Sequence, residues 1–367
     1  MNAKERLEII KQVGEEIVTE EELKHVLETK KQPIAYDGFE PSGTSIHIAQ
    51  GLLRAINVNK MTKAGCKFIF LVADWHAWAN NKMGGDLEKI QKVGKYLIEV
   101  WKACDMDLKN VEFVWANELM KDQEYLKTVM QVARNSTVKR IIRCGQIMGR
   151  KETEVLQASQ IFYPCMQTAD IFQLKVDICQ LGLDQRRVST LAREIGPKLG
   201  FWKPVIVSHH MLRGLGEPVY TSLPEDKAKE KRKIDYVIEM KMSKSNPDSA
   251  IFMNDSNEEV SRKIKKAYCP EGVTEENPIL EYNKHIIFEK FNTVKVERPE
   301  KFGGNLEFSS YKELEKEFAQ KKLHPMDLKQ STSNYLNELI EPVRRNLERN
   351  SAAKKLESEI NKFKVTR

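Results

Sequence analysis

The chain of 367 residues is 41% hydrophobic and 31% charged, a composition that supports a packed core and excludes a disordered or fibrous protein. Its longest apolar run covers six residues, 68–73, whereas a membrane-spanning helix needs about 20. The net charge of +7 permits a polyanionic partner without identifying one. The first twenty residues lack the basic start and apolar stretch of a signal peptide, so we expect a cytoplasmic protein without membrane segments.

Apolar residues recur at helical spacing over residues 4–31, and Pro33 ends that pattern. Strands and helices then alternate, which predicts an α/β fold with a Rossmann-like parallel sheet. Residues 116–160 show no strong strand pattern and are expected to form a helical insertion. In chain order, the elements predicted before this insertion are a strand at 34–36, a turn at 38–43, a helix at 46–61, a strand at 68–73, a helix at 86–103 and a strand at 111–115.

After the insertion, a helix at 184–195 precedes a strand at 204–207. From residue 257 onward only helices are expected, and Pro342 is expected to kink or interrupt the last stretch. We therefore predict three parts: an N-terminal helical segment at 1–32, a Rossmann-like domain at 33–256 and an all-α domain at 257–367.

The six cysteines are scattered, with no CxxC pair and no regular His–Cys spacing. Zinc sites and disulfide frameworks need closer and more regular spacing. We therefore expect reduced thiols and no protein-ligated metal.

The string Lys241-Met242-Ser243-Lys244-Ser245 places two lysines three positions apart among small hydroxyl residues. Such a cationic loop can grip a polyphosphate. A generic pair of lysines at this spacing is usually a solvated charge cluster. This specified string, however, has a chance rate on the order of one in ten thousand in a chain of this size, so it indicates a function.

A second motif, His47-Ile48-Ala49-Gln50, follows the first predicted strand and opens a helix, where backbone N–H groups favour an anion. In this order, and 194 residues apart, the two motifs resemble the HIGH and KMSKS signatures of class I aminoacyl-tRNA synthetases. Ala49 stands where that family usually has Gly, and Gln50 where it has a second His. The resemblance implies a catalytic group acting at the ATP phosphates, made of His47, Gln50, Lys241 and Lys244.

Residues 36–43, 163–170 and 182–186 resemble the substrate loops of tyrosyl-tRNA synthetases. Buried groups that need a hydroxyl partner can separate tyrosine from phenylalanine, and tyrosyl enzymes are themselves the standard example of that discrimination. Independently of the family, a helix would place Tyr163, Gln167 and Asp170 on one face, because they stand at i, i+4 and i+7. The resemblance implies that the phenol is bound by Tyr36 and Asp170, that the ammonium is bound by Tyr163, Gln167 and Gln185, and that the tyrosine pocket includes Gly38 and His76.

The same resemblance implies ATP as a substrate, with Mg²⁺ chelated mainly by the phosphates. Asp184 would bind the ribose. The adjacent His209 and His210 resemble a metal pair, but neighbouring residues point apart, so we interpret both as the rim of the pocket. The full set of implied ATP contacts is Glu40, His47, Ala49, Asp184, Met211, Leu212, Met242, Ser243 and Lys244.

Residues 298–304 and 324–329 resemble the C-terminal, anticodon-binding helical domain of archaeal and eukaryotic tyrosyl enzymes. Phe288 is the candidate for stacking on the first anticodon base, although a core position is at least as consistent with its apolar neighbours. Asn305 replaces an Asp of archaeal relatives and is the second anticodon candidate. The resemblance covers about residues 30–350, and it implies a homodimer joined through part of residues 105–145.

The implied reaction activates L-tyrosine with ATP to tyrosyl-adenylate and pyrophosphate, and then transfers tyrosine to the 3′ end of tRNA(Tyr). Three alternatives remain open. A tryptophanyl-tRNA synthetase shares the fold, but Tyr36 and Asp170 argue against it. Another nucleotidyltransferase would lack the intact lysine motif and the C-terminal domain. A catalytically silent RNA-binding paralogue is suggested by the altered HIGH motif and opposed by the unaltered KMSKS motif.

Overall fold

The structure is a computed structural model that describes residues 1–148, 155–218, 236, 240–242 and 246–363. Its strands are β1 (Gly14–Val18), β2 (Ile34–Phe39), β3 (Lys67–Val72), β4 (Val111–Trp115), β5 (Ile178–Gly182), β6 (Val205–His209), β7 (Val294–Val296) and β8 (Leu306–Phe308). Its helices are α1 (Ala3–Lys11), α2 (Glu20–Thr29), α3 (Arg54–Lys63), α4 (Asp74–Ala79), α5 (Leu87–Lys102), α6 (Ala116–Leu119), α7 (Gln123–Arg134), α8 (Val138–Cys144), α9 (Ala158–Gln173), α10 (Arg186–Ile195), α11 (Asn257–Lys266), α12 (Pro278–Tyr282), α13 (Phe288–Lys290), α14 (Tyr311–Ala319), α15 (Pro325–Arg349) and α16 (Ser351–Ile360). Two π-helical turns, Ala49–Leu53 and Asn283–Ile287, lead into α3 and α13.

Strands β1 to β6 form one sheet in the order β1-β6-β5-β2-β3-β4. Neighbouring strands are parallel except β1 and β6, which are antiparallel. From β2 the chain winds outward through β3 and β4, and it then returns to the other side of β2 with β5 and β6. The crevice at the carboxyl ends of β2 and β5 is therefore the point where the winding reverses, which is where open α/β sheets bind ligands.

Both faces of the sheet are buried, so the strands supply two apolar cores. Ile69 and Leu71 belong to a core shared with helices α7 to α10. Phe68 and Phe70, which alternate with them along β3, belong to the other core, and this core continues into the helices beyond residue 257. Burial on both faces explains why β3 is a continuous apolar run in the sequence.

The N-terminal segment differs from the single helix predicted over residues 4–31. Helix α1 ends at Lys11, and the chain forms the edge strand β1 before α2 begins. Thr19 caps α2, because its side chain accepts the Glu22 N–H while the Glu22 carboxylate accepts the Thr19 N–H. This capping box is the local feature that separates α2 from the strand before it. The prediction of one helix is therefore wrong at this strand.

Strand β5 was not predicted. Its central residue, Gln180, interrupts the apolar run that would have marked a buried strand, although the side chain is fully buried. The Nε2 atom of Gln180 lies 2.6 Å from Nδ1 of His209 on the neighbouring β6. A polar side chain is tolerated at such a position once it is hydrogen-bonded, and that partner exists only after the two strands pair.

The predicted strands at β2, β3, β4 and β6 and the helices α5 and α10 are confirmed, and the described part of the 116–160 insertion is helical. Beyond residue 257 the chain is mainly helical, but β7 and β8 form an antiparallel ribbon, so the expectation of helices alone is wrong there. Helix α15 includes Pro342, and the break between α15 and α16 lies at Asn350 instead. Of the two expected effects of Pro342, a kink or an interruption, the interruption is therefore wrong.

Among the described residues, no helix combines the length and the apolar character that crossing a membrane requires. The same residues contain no group of three His, Cys, Asp or Glu side chains arranged to hold a metal ion. All six cysteines lie in the described part of the chain, and each is buried with a free thiol.

Candidate active site

A cavity of 390 Å³ lies at the carboxyl ends of β2 and β5. Among its lining residues are all the predicted tyrosine, ATP and catalytic residues that the structure describes: Tyr36, Gly38, Glu40, His47, Ala49, Gln50, His76, Tyr163, Gln167, Asp170, Asp184, Gln185, Met211, Leu212, Lys241 and Met242. Ser243 and Lys244 lie outside the described residues. The fold thus brings segments that are far apart in the sequence to one place.

One part of the cavity holds a buried carboxylate among hydroxyl groups. Asp170 is fully buried on α9, and the Tyr125 hydroxyl donates a hydrogen bond to its Oδ1 atom at 2.8 Å. The Nε2 atom of His76 lies 3.0 Å from the other carboxylate oxygen, Oδ2. Burial, reinforced by the charge of Asp170, raises the pKa of Tyr36 well above its usual range, so this phenol stays protonated. A carboxylate acceptor and neutral hydroxyls together can recognise a substrate hydroxyl group.

Helix α9 presents Tyr163, Gln167 and Asp170 to the cavity, as their spacing predicts. The Gln167 side chain donates to Oε1 of Gln185 at 3.1 Å, which joins α9 to the turn after β5. The ring of Tyr163 lies edge-on to that of His76, with centroids 5.0 Å apart. The oxygen atoms of these neutral side chains can accept hydrogen bonds from an ammonium group.

A second part of the cavity is charged. Lys241 Nζ lies 2.7 Å from the carboxylate of Asp184, in the turn after β5. Burial alone would raise the pKa of Asp184, but Lys241 outweighs that effect and lowers the pKa, so the carboxylate is ionised at neutral pH. The His47 carbonyl accepts the N–H groups of Gln50 and Gly51, each at 2.9 Å, at the start of the π-helical turn. A carboxylate, a lysine and a helix start together suit the ribose and phosphates of a nucleotide.

The first motif is in contact with the segment that follows the lysine motif. His47 pairs with Phe252 in an antiparallel bridge, and the Ile48 N–H donates to the Ile251 carbonyl at 2.9 Å. Ile251 and Phe252 follow closely after the lysine motif in the sequence. This contact therefore fixes the first motif against the part of the chain that leaves the lysine motif.

Further residues of the cavity were not predicted. Arg54 Nε lies 2.8 Å from Oδ2 of Asp37, and burial raises the pKa of Asp37 to about 6 although Arg54 opposes that shift. Lys82 lies 3.6 Å from Glu40. Arg54 stands seven positions after His47, about two helical turns, and this spacing was the one pattern that could have identified it. Asp37 lies within residues 36–43, one of the segments that resemble substrate loops, whereas no local pattern marks Lys82.

His209 and His210 both line the cavity, which agrees with the interpretation as its rim. Burial lowers the pKa of His209 to about 3, so this ring is neutral. His210 contacts Glu15 at 3.0 Å through Nδ1 and Glu281 through Nε2. Burial would lower the pKa of His210, but the two carboxylates outweigh it and raise the pKa to about 9. The adjacent rings therefore differ in charge as well as in direction.

The predicted anticodon residues lie away from the residues that line the cavity. Phe288 is half-buried and packs against the apolar core. Asn305 is exposed, and its side-chain oxygen accepts the Arg298 N–H at 2.9 Å. Phe302, which was not predicted, exposes 60% of its surface, and Lys301 Nζ lies 4.9 Å from the centre of its ring. Its place in the sequence between Lys301 and two glycines, typical of an exposed turn, could have identified it.

Comparisons with known proteins identify the family. The chain matches the model of class I tRNA synthetases (W and Y) over residues 28–218 and 238–341. It is 49% identical to cytoplasmic tyrosine–tRNA ligase 1 of Arabidopsis thaliana, over 99% of this chain and 89% of that relative.

Solved structures of tyrosyl-tRNA synthetases are also similar. The enzyme of Pyrococcus horikoshii complexed with L-tyrosine is 38% identical, with a TM-score of 0.89 over 98% of this chain and 100% of that chain. The enzyme of Leishmania major in complex with tyrosinol is 41% identical, with a TM-score of 0.87 over 98% of this chain and 60% of that longer chain. The chain therefore belongs to the tyrosyl-tRNA synthetases of class I.

Proposed function

We propose that this chain activates L-tyrosine with ATP and transfers the tyrosyl group to tRNA(Tyr). The observation that carries the proposal is the buried carboxylate of Asp170, which accepts the Tyr125 hydroxyl at 2.8 Å and lines one cavity with Tyr36 and both motif segments. A buried carboxylate is costly unless donors meet it, and the phenol hydroxyl of tyrosine is such a donor. The names of the similar proteins from Arabidopsis and Pyrococcus support the same activity.

In the first half-reaction, a carboxylate oxygen of tyrosine attacks the α-phosphorus of ATP. The bond from that phosphorus to the bridging oxygen breaks, and pyrophosphate leaves with the electron pair. Tyr163, Gln167 and Gln185 hold the ammonium group and so direct the carboxylate towards ATP, while Tyr36 and Asp170 bind the phenol. Catalysis consists of positioning and charge stabilisation, with no covalent enzyme intermediate.

We propose that ATP binds in the charged part of the cavity. Asp184 binds the ribose, and its ion pair with Lys241 at 2.7 Å keeps a cation next to that site. Lys241 and Lys244 neutralise the departing pyrophosphate. Mg²⁺ enters with ATP, because the phosphates supply the oxygen ligands that this ion prefers. Gly38 and His76 complete the proposed tyrosine pocket. The further contacts proposed for ATP are Glu40, His47, Ala49, Gln50, Met211, Leu212, Met242 and Ser243.

In the second half-reaction, the terminal ribose hydroxyl of tRNA attacks the carbonyl carbon of tyrosyl-adenylate, and AMP leaves. We propose that the helical part beyond residue 257 binds the anticodon, with Asn305 at its surface. Phe302 is a better stacking candidate than Phe288, because it exposes 60% of its surface while Phe288 is half-buried. The stacking residue is the one whose alanine variant raises KM for tRNA and leaves tyrosine activation unchanged.

We also propose a homodimer in the cytoplasm, the location that the name of the Arabidopsis relative gives. Leu126, Met130 and Val138 are 41%, 59% and 61% exposed, and all three belong to the helical insertion within residues 105–145. Exposed apolar side chains grouped on adjacent helices mark protein–protein contacts. Light scattering should give twice the mass of one chain, and the mass of a single chain would contradict this expectation.

Exchange of labelled pyrophosphate into ATP, measured with tyrosine, phenylalanine or tryptophan, tests the proposed activity. We expect exchange with tyrosine alone. Exchange with tryptophan alone would overturn the assignment of the pocket and keep the enzyme class. No exchange from folded protein supplied with Mg²⁺ would favour a catalytically silent RNA-binding protein.

A further inference from the structure

Residues 210–215, which we call the strap, follow β6 and form one wall of the cavity through Met211 and Leu212. The strap is also hydrogen-bonded to the start of the lysine motif. Arg213 pairs with Lys241 in an antiparallel bridge, and the Met242 N–H donates to the Leu212 carbonyl at 3.1 Å. A shift of the strap would therefore move both the wall of the proposed ATP site and the first lysine of the motif.

Helix α12, which lies beyond residue 257, holds the strap at two adjacent positions. The Glu281 carboxylate accepts the Arg213 N–H through Oε2 at 2.9 Å, and its Oε1 atom contacts Nε2 of His210. The Tyr282 hydroxyl donates to the Arg213 carbonyl at 2.8 Å. Glu281 is only 11% exposed, and Tyr282 is fully buried. Both backbone groups of Arg213 are thus fixed by consecutive side chains of one helix.

We propose that Glu281 and Tyr282 are positioning residues for ATP: they hold the strap so that Met211, Leu212 and Lys241 keep the geometry of the nucleotide site. This inference rests on the proposed function. It assigns to the proposed tRNA-binding part of the chain a direct role in ATP affinity, although none of its side chains lies among the residues that line the cavity in the described structure.

The contact between Glu281 and His210 of the strap carries charge that depends on pH. Glu15 on β1 and Glu281 on α12 face the His210 ring, and the ring of His285 stacks on it with centroids 4.3 Å apart. Further charged or titratable groups near this ring stack include His209, Lys60 and Lys284, and Arg213 lies close to the Glu281 carboxylate. The two carboxylates keep the pKa of His210 at about 9 against the effect of burial. The ion pair with Glu281 is therefore complete at neutral pH and is lost as pH rises through about 9.

The test is the steady-state kinetics of tyrosine-dependent pyrophosphate exchange by the full chain and its Glu281→Gln variant. Glutamine keeps the size of the side chain and removes the charge. We expect KM for ATP to rise about tenfold, the equivalent of one charge-assisted hydrogen bond, and KM for tyrosine to change less than twofold. In the wild type, KM for ATP should rise above pH ~9 as His210 loses its proton. In Glu281→Gln, which has no such ion pair to lose, this rise should be much smaller.

Glu289→Gln is the matched control. Glu289 also lies beyond residue 257 and pairs with Lys60 of α3 at 2.7 Å, so the control removes an equivalent ion pair that does not involve the strap. Its KM for ATP should equal that of the wild type. Tyr282→Phe removes only the hydroxyl and should raise KM for ATP about threefold. It tests the same inference independently if Glu281→Gln does not fold.

Three results would overturn the inference while leaving the proposed function intact: an unchanged KM for ATP in Glu281→Gln, an equal rise in KM for tyrosine, or the same rise in Glu289→Gln. Absence of tyrosine-dependent exchange by the wild type is a different result. It would overturn the proposed function, and with it the positioning role of Glu281 and Tyr282.

Discussion

Tyrosine and ATP are proposed to bind in parts of one cavity that are built in different ways. In the tyrosine part, Asp170 is fully buried, and its carboxylate is held by the Tyr125 hydroxyl within a pair of packed helices, α7 and α9. In the ATP part, the polar side chains form ion pairs, such as Asp184 with Lys241 and Asp37 with Arg54. Asp184 lies in the turn after β5, Asp37 on β2 and Arg54 at the start of α3, so these pairs do not come from one pair of packed helices.

This difference indicates a division of tasks. A buried hydrogen-bond network has few ways to rearrange, so it penalises a substrate that lacks the hydroxyl group. An ion pair at the edge of a cavity can exchange one partner for a phosphate group as charge develops in the reaction. We therefore expect substitutions in the tyrosine part to change which amino acid is activated, and substitutions in the ATP part to change how fast activation occurs.

The largest effect is expected for Asp170→Ala. Removing the carboxylate deletes the acceptor for the substrate phenol and leaves the buried Tyr125 hydroxyl without its partner, a loss of ~3 kcal/mol. The kcat/KM for tyrosine should fall about 100-fold, and that for phenylalanine far less, as measured by pyrophosphate exchange. Asp74→Ala is the control, because Asp74 is also a fully buried carboxylate but does not line the cavity. If Asp170→Ala still discriminated against phenylalanine, the tyrosine part of the cavity would not decide which amino acid is activated.

Lys241→Met should act on rate instead. Methionine keeps much of the apolar length of lysine and removes the cation that is proposed to neutralise pyrophosphate, at a cost of ~2 kcal/mol. We expect kcat for exchange to fall about 30-fold and KM for tyrosine to stay within twofold. Lys30→Met removes a comparable ion pair, with Asp177 at 2.6 Å, from outside the cavity and should leave kcat unchanged. A weaker preference for tyrosine in Lys241→Met would contradict the proposed division of tasks.

Tyr125→Phe tests whether the hydrogen bond behind Asp170 contributes to recognition. Without the Tyr125 hydroxyl the carboxylate is less firmly oriented, which should cost ~1.4 kcal/mol and lower the tyrosine-to-phenylalanine preference about tenfold. Tyr96→Phe is matched to it, because the buried Tyr96 also bonds to a carboxylate, that of Glu357 at 3.2 Å, away from the cavity. Equal preference ratios in the two variants would show that Tyr125 is only structural.

Gly38→Ala should have the smallest effect on kinetics. It tests whether a substrate binds next to Gly38. A Cβ atom at Gly38 meets no protein atom closer than 3.8 Å, so the midpoint of thermal unfolding should not fall. A methyl group in the cavity should raise KM for tyrosine or ATP about fivefold, equivalent to ~1 kcal/mol of crowding. At Gly94 a Cβ atom would lie 2.8 Å from the Trp115 ring, so Gly94→Ala should lower the unfolding midpoint and leave both KM values unchanged. An unchanged pair of KM values in Gly38→Ala would place the substrates elsewhere in the cavity.

The α/β fold and one helix face of the site could be predicted because their patterns are local, and the other site residues were implied by the resemblance of their motifs to a known family. The run at β3 is apolar since both faces of that strand are buried, and the residues at i, i+4 and i+7 of α9 share a face in any helix. Strands β1 and β5 were missed for opposite reasons. Helical spacing on both sides concealed β1, and Gln180 interrupted the apolar pattern of β5 although its hydrogen bond to His209 makes it compatible with burial.

The sequence by itself determined the chemistry: two motifs that suit a nucleotide, a helix face that suits tyrosine, and the family to which they point. Only the tertiary structure decided the partners that orient those groups, namely Tyr125 behind Asp170, Arg54 beside Asp37, and Glu281 on the strap. Residue types and spacings are written into the chain locally. The partners come from segments that are distant in the sequence, and each contact exists only because the strand order and helix packing bring those segments within hydrogen-bonding distance.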